Sequence, residues 1–380
     1  MVPMNASADT PRPEGFVPPP YPYDRLDRFK PLAEALPGGL VDLSIGTPCD
    51  APPAAVVEAL SRSDSERGYP PSIGTEALRG AAQRWMGRRF DVDVPLGQIA
   101  ACIGTKELVA TTPQYLRLRD PSRDTVLYPA VSYPTYEMGA ILGGCRAVAV
   151  PPLPGGGIDL AAIDPADAKR ALLLWVNSPS NPTGSLDDLD AAAAWGRAGG
   201  VPVFSDECYT EFTWDGPPRT ILESGLDGVV AVHSLSKRSN LAGVRVGFYA
   251  GDADLLAYLK EVRKHVGMLV PGPAQAAASV ALDDDAHVGV QRARYRDRLE
   301  RLARVLGRWA GIEIDLPRGG FYLWFDAGDG WAFAERLAAE GGALVSPGDF
   351  YGAGGASHVR VAVVQPDDRI ELVARRLGAT

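Results

Sequence analysis

Gly228-Val229-Val230-Ala231-Val232-His233-Ser234-Leu235-Ser236-Lys237-Arg238-Ser239-Asn240-Leu241-Ala242-Gly243-Val244-Arg245 is the stretch on which the reading of this chain turns. Its apolar run, Gly228 to Val232, reads as a buried strand. A lysine stands just past that run, with hydroxyl residues at 234 and 236 and an arginine at 245. Burial opposes the charge of a lysine and lowers its pKa. An amine with a lowered pKa is a usable nucleophile toward aldehydes. Hydroxyls with an arginine can hold a phosphate. An exposed loop lysine in a Ser/Arg turn would use the same residues, so other stretches must decide.

The chain has 380 residues, 46% of them apolar and 22% charged, which suits an ordinary globular protein of two domains, or of one large domain with an appendage. A net charge of -9 argues against nucleic acid or an anionic membrane as partner, because either would call for a basic patch. Anionic small molecules need only local arginines. Cys49, Cys102, Cys145 and Cys208 are isolated, and the four histidines are scattered, so neither a disulfide framework nor a metal site is expected. The cytoplasm is the expected location. Met1 to Pro20 lacks the apolar core of a signal peptide, and no apolar run approaches a membrane span.

Residues 1–22 read as a Pro-rich extended arm. Tyr23 to Leu36 reads as a short helix and Val41 to Ile45 as a strand. Beyond residue 52 short apolar runs alternate with helical patterns. Strands are expected over Ile99–Ile103, Asp124–Tyr128, Ala147–Val150, Leu172–Val176, Pro202–Ser205, Val229–Val232 and Gly247–Ala250. This alternation predicts an α/β fold, a mostly parallel sheet sandwiched by helices. After Pro271-Gly272-Pro273 the pattern changes. A long helix (Ala286 to Trp309) leads to strands near Ile312–Ile314, Phe321–Phe325, Ala343–Val345 and Val359–Val364. The expected division is a large domain over 48–283 and a smaller α+β domain over 284–380 that takes in 23–47. Sheets of this kind bind ligands at the carboxyl ends of their strands.

The chemistry-bearing residues fall at those ends. Asp206, with Tyr209, closes the strand Val203-Phe204-Ser205. A carboxylate buried there needs a cationic partner, and a pyridinium nitrogen is one; a helix cap is the plain alternative. Asn181-Pro182-Thr183-Gly184 makes a rigid turn after Leu172–Val176. Gly104-Thr105-Lys106 opens a helix, where free N–H groups of Thr105 and Lys106 suit a phosphate. Tyr133 can stack on a flat ring, and Tyr69 lies in a Pro-rich turn. Arg360, a charge inside the apolar strand Val359–Val364, needs an anion, either a substrate carboxylate or an internal partner. Lysine, phosphate site and ring partner together suggest pyridoxal 5'-phosphate (PLP), an aldehyde carrying a phosphate.

In this order, from the glycine turn at Gly46 through Tyr69, Gly104-Thr105-Lys106, Tyr133, Asn181-Pro182-Thr183-Gly184, Asp206 with Tyr209, Ser234 with Lys237, Arg245 and Arg360, the chain resembles the class I/II family of fold-type I PLP-dependent aminotransferases over nearly its whole length. Ser234 to Gly243, Met268-Leu269-Val270-Pro271, Asp283-Asp284-Asp285-Ala286-His287 and Pro347 to Gly352 are similar to the actinobacterial type of N-succinyldiaminopimelate aminotransferases, with Val244 and His265 departing where tyrosine and asparagine are expected. The resemblance implies a homodimer with a shared site and PLP held covalently by Lys237. Asp206 would then face the ring nitrogen, Tyr209 and Asn181 the ring oxygen, and Tyr133 the ring face. Ser234, Arg245, Thr105 and Lys106 would take the phosphate, with Tyr69 arriving from a second subunit. Arg360, Asn181 and Gly46 would bind the substrate carboxylate. Glutamate would be the donor and N-succinyl-2-amino-6-oxopimelate the acceptor, in lysine biosynthesis. The same scaffold also serves other amino and keto acids and PLP lyases. Arg263, Lys264 and Tyr23 are candidates for the distal end of the substrate, with a solvated face the expectation for Arg263 and Lys264.

Overall fold

The computed structural model describes residues 15–62 and 67–378. Most of the expected Pro-rich arm, residues 1–14, lies outside the described residues. In chain order the strands are β1 Val41–Asp42, β2 Ile99–Cys102, β3 Thr125–Pro129, β4 Arg146–Val150, β5 Ala171–Asn177, β6 Val203–Asp206, β7 Val229–Ser234, β8 Gly247–Gly251, β9 Tyr322–Asp326, β10 Ala343–Leu344, β11 Ser346–Pro347 and β12 His358–Ala362.

Seven of these form one sheet in the order β2-β8-β7-β6-β5-β3-β4. Only β8 runs antiparallel to its neighbours; every other pairing in this sheet is parallel. β5 and β7 are buried along their whole length, which is why they read as unbroken apolar runs rather than alternating ones. Successive side chains still point to opposite faces. Val203, Ala231 and Phe248 join a core with Trp85 on one face, while Phe204, Val230, Val232 and Tyr249 join Trp175 on the other. The protein is thus α/β, with helices on both faces of a mostly parallel sheet.

A further apolar cluster combines Leu26, Phe29 and Leu43 with the chain beyond residue 295 and takes Tyr209 and Phe212 from the end of β6. It covers the antiparallel sheet β11-β12-β9 and the parallel pair β1-β10. Helix Ala286–Ala310 contributes Tyr295, Leu299, Leu302 and Leu306, a spacing that places one stripe of side chains inward.

Three expectations change. The segment 312–314 forms no strand. Gly311 ends the long helix in the left-handed region, and Ile312 N–H turns back to the Gly307 carbonyl at 3.0 Å. Ile312 and Ile314 then pack against the cluster without a neighbouring strand. The strand after residue 41 stops at Asp42, whose carboxylate accepts from Ser44 N–H at 2.8 Å and Ser44 Oγ at 2.6 Å and bends the chain. The expected helix from Tyr23 is a 3-10 helix over Pro22–Phe29 that becomes α-helical over Lys30–Glu34. Among the described residues, no helix is long and apolar enough to cross a membrane.

Candidate active site

Because β8 is reversed, its amino end meets the carboxyl ends of β2, β3, β5, β6 and β7 along one edge of the sheet. A cavity of about 450 Å³ opens there. Thr105, Lys106, Tyr133, Asn181, Asp206 and Tyr209 line it from the ends of those strands and the segments that follow them. Ser234, Lys237 and Arg245 line it from the turn between β7 and β8, and Gly46 and Arg360 close it from the other cluster. Tyr69 is the exception: it lies 96% exposed on a surface turn and does not line this cavity.

Lys237 is carried by the four-residue helix Leu235–Arg238, which Ser234 caps by accepting from Ser236 N–H at 3.1 Å. Its ammonium donates to the Gly46 carbonyl. Burial, with the charges of Arg360 and Arg245 nearby, lowers its pKa to about 8. About a tenth of the amine is therefore free base at pH 7, against well under a thousandth at the ordinary lysine value. Gly46 has to be glycine here, because a Cβ would stand 1.9 Å from the Tyr322 hydroxyl.

Asp206 is buried and accepts from Tyr136 Oη at 2.9 Å and Cys208 N–H at 3.2 Å. Burial raises its pKa, against the pull of those hydrogen bonds. Tyr209 Oη and Tyr322 Oη share a hydrogen bond of 2.9 Å. Arg360, only 1% exposed, donates to Asn181 Oδ1 at 2.7 Å, to Tyr23 Oη at 3.1 Å and to the Ser44 carbonyl. Its guanidinium lies over the rings of Tyr322 and Tyr351, at 4.2 and 4.7 Å. Asn181 is held by its backbone N–H on Asn177 Oδ1 at 2.8 Å.

Gly104 starts the helix Thr105–Arg119 with φ 71°, and a Cβ there would meet Arg245 Nη2 at 2.2 Å. The start of this helix, with its free N–H groups, and the Arg245 guanidinium thus lie side by side on the cavity, a combination that suits an anion. Lys106 Nζ reaches Tyr21 Oη at 3.1 Å. Among the described residues, none of Lys106, Lys237, Arg245 and Arg360 pairs with a carboxylate at ion-pair distance. Four cations and one carboxylate around a single cavity call for an anionic ligand that also brings a basic nitrogen to Asp206. PLP fits this donor set: an aldehyde for Lys237, a phosphate for the helix start and Arg245, a ring nitrogen for Asp206.

Sequence reasoning missed Tyr136, Tyr322 and Tyr21. Tyr136 reads as one more helix-core aromatic, and only its spacing from Tyr133 in Tyr133-Pro134-Thr135-Tyr136 hints otherwise. Tyr23, a candidate for the distal end of the substrate, does line the cavity. Arg263 does not: it is buried and donates to Glu107 Oε2 at 2.9 Å, while Glu107 Oε1 holds Ile103 N–H at 2.8 Å. A partner carboxylate one helical turn into another element makes Arg263 structural, not a solvated face.

The family model described as Aminotransferase class I and II matches residues 39–377. A probable aminotransferase of Mycobacterium tuberculosis is 43% identical over 368 residues, covering 94% of this chain and 85% of that protein. The 4-dedimethylamino-4-oxo-anhydrotetracycline transaminase OxyQ of Streptomyces rimosus is 42% identical over 369 residues, 94% of this chain and 99% of its own length. A solved structure titled as a probable N-succinyldiaminopimelate aminotransferase, from Thermus thermophilus, superposes with a TM-score of 0.83 at 30% identity, covering 94% of this chain and all of the other. The chain belongs to the class I and II aminotransferases, PLP-dependent enzymes that exchange amino groups between amino and keto acids.

Proposed function

We propose that this protein transfers the amino group of glutamate to N-succinyl-2-amino-6-oxopimelate, in the lysine and diaminopimelate pathway of the cytoplasm, as a homodimer with a shared active site. The observation that carries the reading is the pairing, on one cavity, of a lysine whose pKa is lowered to about 8 with a buried arginine that has no carboxylate of its own. When bound, PLP supplies an electron sink for charge developing at the substrate α-carbon.

The chain's residues do the rest. Lys237 would hold PLP through its Nζ and, as a free amine on a flexible stem, would carry the proton of the substrate α-carbon. Asp206, steadied by Tyr136, would keep the ring nitrogen protonated. Tyr209 and Asn181 would serve the ring oxygen and Tyr133 the ring face. Ser234, Arg245 and the N–H groups of Thr105 and Lys106 bind the phosphate, with Tyr69 of a second copy added to them. Arg360 clamps the α-carboxylate, with Asn181 and Gly46 beside it.

A second reading has its own support. Identity of 42% over nearly all of a tetracycline-pathway transaminase favours a larger cyclic ketone as acceptor. The test is a panel of acceptors offered to PLP-loaded enzyme with glutamate, following 2-oxoglutarate release. N-succinyl-2-amino-6-oxopimelate is expected to give the highest kcat/KM. A polycyclic ketone giving the highest value supports the second reading, and glutamate-independent breakdown of an amino acid would make the protein a lyase. In the same assay Lys237→Ala is expected to lose turnover and the visible absorbance of bound PLP; normal transamination by that variant would overturn the proposal.

A further inference from the structure

The stretch Asp283-Asp284-Asp285-Ala286-His287 has no part in the site described above, yet it reaches the residues that follow Lys237. Lys237 rides on a helix of only four residues, Leu235–Arg238, followed by Ser239 and by Asn240 in the left-handed region at φ 56°. One turn of helix has little stability of its own. Something outside it has to fix where the lysine points.

The long helix Ala286–Ala310 supplies that restraint at three successive residues. Arg238 Nη2 bonds Asp285 Oδ1 at 2.7 Å, at the cap of the long helix. Ser239 Oγ lies 3.0 Å from His287 Nε2, and Asn240 Nδ2 donates to Gln291 Oε1 at 3.3 Å. His287 and Gln291 are four residues apart and so lie on one face of the helix. Asp284 Oδ2 lies 3.0 Å from His287 Nδ1, and its Oδ1 accepts from Ala286 N–H at 2.8 Å. An acceptor at Nδ1 places the proton on Nδ1 and leaves Nε2 free to accept. Ser239 Oγ, which receives Arg238 Nη1 at 3.2 Å, then donates its own proton to His287. Ser239 is 1% exposed, so the arrangement is no nucleophile facing substrate; it is a sealed contact.

We propose that His287, oriented by Asp284 and acting through Ser239, is a positioning residue for Lys237, and that it does so in its neutral form. The proposal rests on Lys237 being the lysine that holds PLP. The groups facing His287 are Asp284 on its own element, Arg238 and Ser239 on the lysine turn, and beyond them Asp285 and Glu211. Burial and Arg238 hold its pKa below the usual histidine value, while Asp284 and Glu211 act the other way. Protonation turns Nε2 from acceptor to donor, so as pH falls the bond to Ser239 Oγ reverses direction and a second positive charge stands beside Arg238.

The experiment uses PLP-loaded enzyme and compares wild type with His287→Ala, His287→Gln and Ser239→Ala. Three quantities are read: the pH titration of the visible absorbance of PLP held on Lys237, hydrogen exchange over residues 235–241, and kcat and KM for glutamate. His287→Ala is expected to shift the absorbance titration and speed exchange, and to lower kcat about tenfold with KM nearly unchanged, because misplacing a reacting group is costly in rate. Ser239→Ala, which deletes one oxygen, should reproduce the spectral shift even if the histidine variant folds poorly. His287→Gln, whose amide oxygen can accept from Ser239, should restore most of kcat and lose the acid limb of the wild-type profile. An unchanged absorbance titration and exchange pattern in both His287→Ala and Ser239→Ala would overturn the proposal. That outcome differs from failure of the lysine assignment, which shows as turnover by Lys237→Ala.

Discussion

Asp206 and Glu207 are neighbours at the end of β6, yet they point to opposite faces of the sheet. Asp206 opens on the cavity, held by Tyr136 and Cys208. Glu207 turns the other way into a small pocket of about 10 Å³, room for one water at most. There its Oε2 lies 3.4 Å from His233 Nε2, and the rings of Trp85 and Phe248 pack on that histidine at 4.9 and 5.0 Å. The pair is not an ion pair at neutral pH: burial pushes Glu207 up to about 8 and His233 down to about 3. Burial raises both carboxyl pKa values, so a perturbed carboxyl alone does not mark a functional residue. What separates the two is access. Asp206 faces a space that a cationic ring nitrogen can enter, whereas Glu207 is enclosed beside His233 and kept neutral by burial itself.

The largest effect that can break this contrast is the substitution of each acid by its amide. Asp206→Asn is expected to cost about 10²- to 10³-fold in kcat, the range for loss of a preorganised charge at a reacting group. Glu207→Gln should stay within about threefold of wild type, since it swaps one neutral hydrogen-bonding group for another. Equal losses in both would end the distinction. Tyr136→Phe sharpens it: removing a hydrogen bond to a charged group should lower kcat about tenfold and leave KM for glutamate in place.

The smallest effect is one of stability against pH. Glu207 holds its proton more tightly when folded, so its contribution is whole below pH 4.5 and is lost as pH rises toward 8. His233 is held neutral, so its contribution is whole above pH 6.5 and is lost as pH falls toward 3. The two slopes cancel between pH 4.5 and 6.5, leaving a net loss between 6.5 and 8. Over that upper window the wild type should lose about 2 kcal/mol relative to Glu207→Gln, measured as the difference in denaturant unfolding.

Much of this arrangement was legible in the chain because the sheet is buried on both faces. Continuous apolar runs such as Leu172–Val176 and Val229–Val232 announce central strands, and the polar residue after each run is where a ligand can be met. The reversal of β8 was not legible, since an apolar run has no direction. It decides that Arg245, which precedes its strand, reaches the same edge as Lys237, which follows one. The segment 312–314 misled for a related reason: alternation records burial on one side, and a chain packed on a helix produces it without any strand beside it. Tyr136 and Tyr322 were hidden because a tyrosine in a core and a tyrosine at a site have the same pattern, and only the position of the hydroxyl separates them. Tyr69 stands fully on the surface, away from the cavity, so the role the resemblance implies for it calls for a second copy.

The contact of Arg360 with the Ser44 carbonyl joins residues 316 positions apart. A ribosome adds residues in order, so this wall of the cavity cannot close until β12 has emerged, long after the lysine turn has been made. Early capture of PLP by a nascent chain would therefore meet a half-walled pocket, open to water on the substrate side.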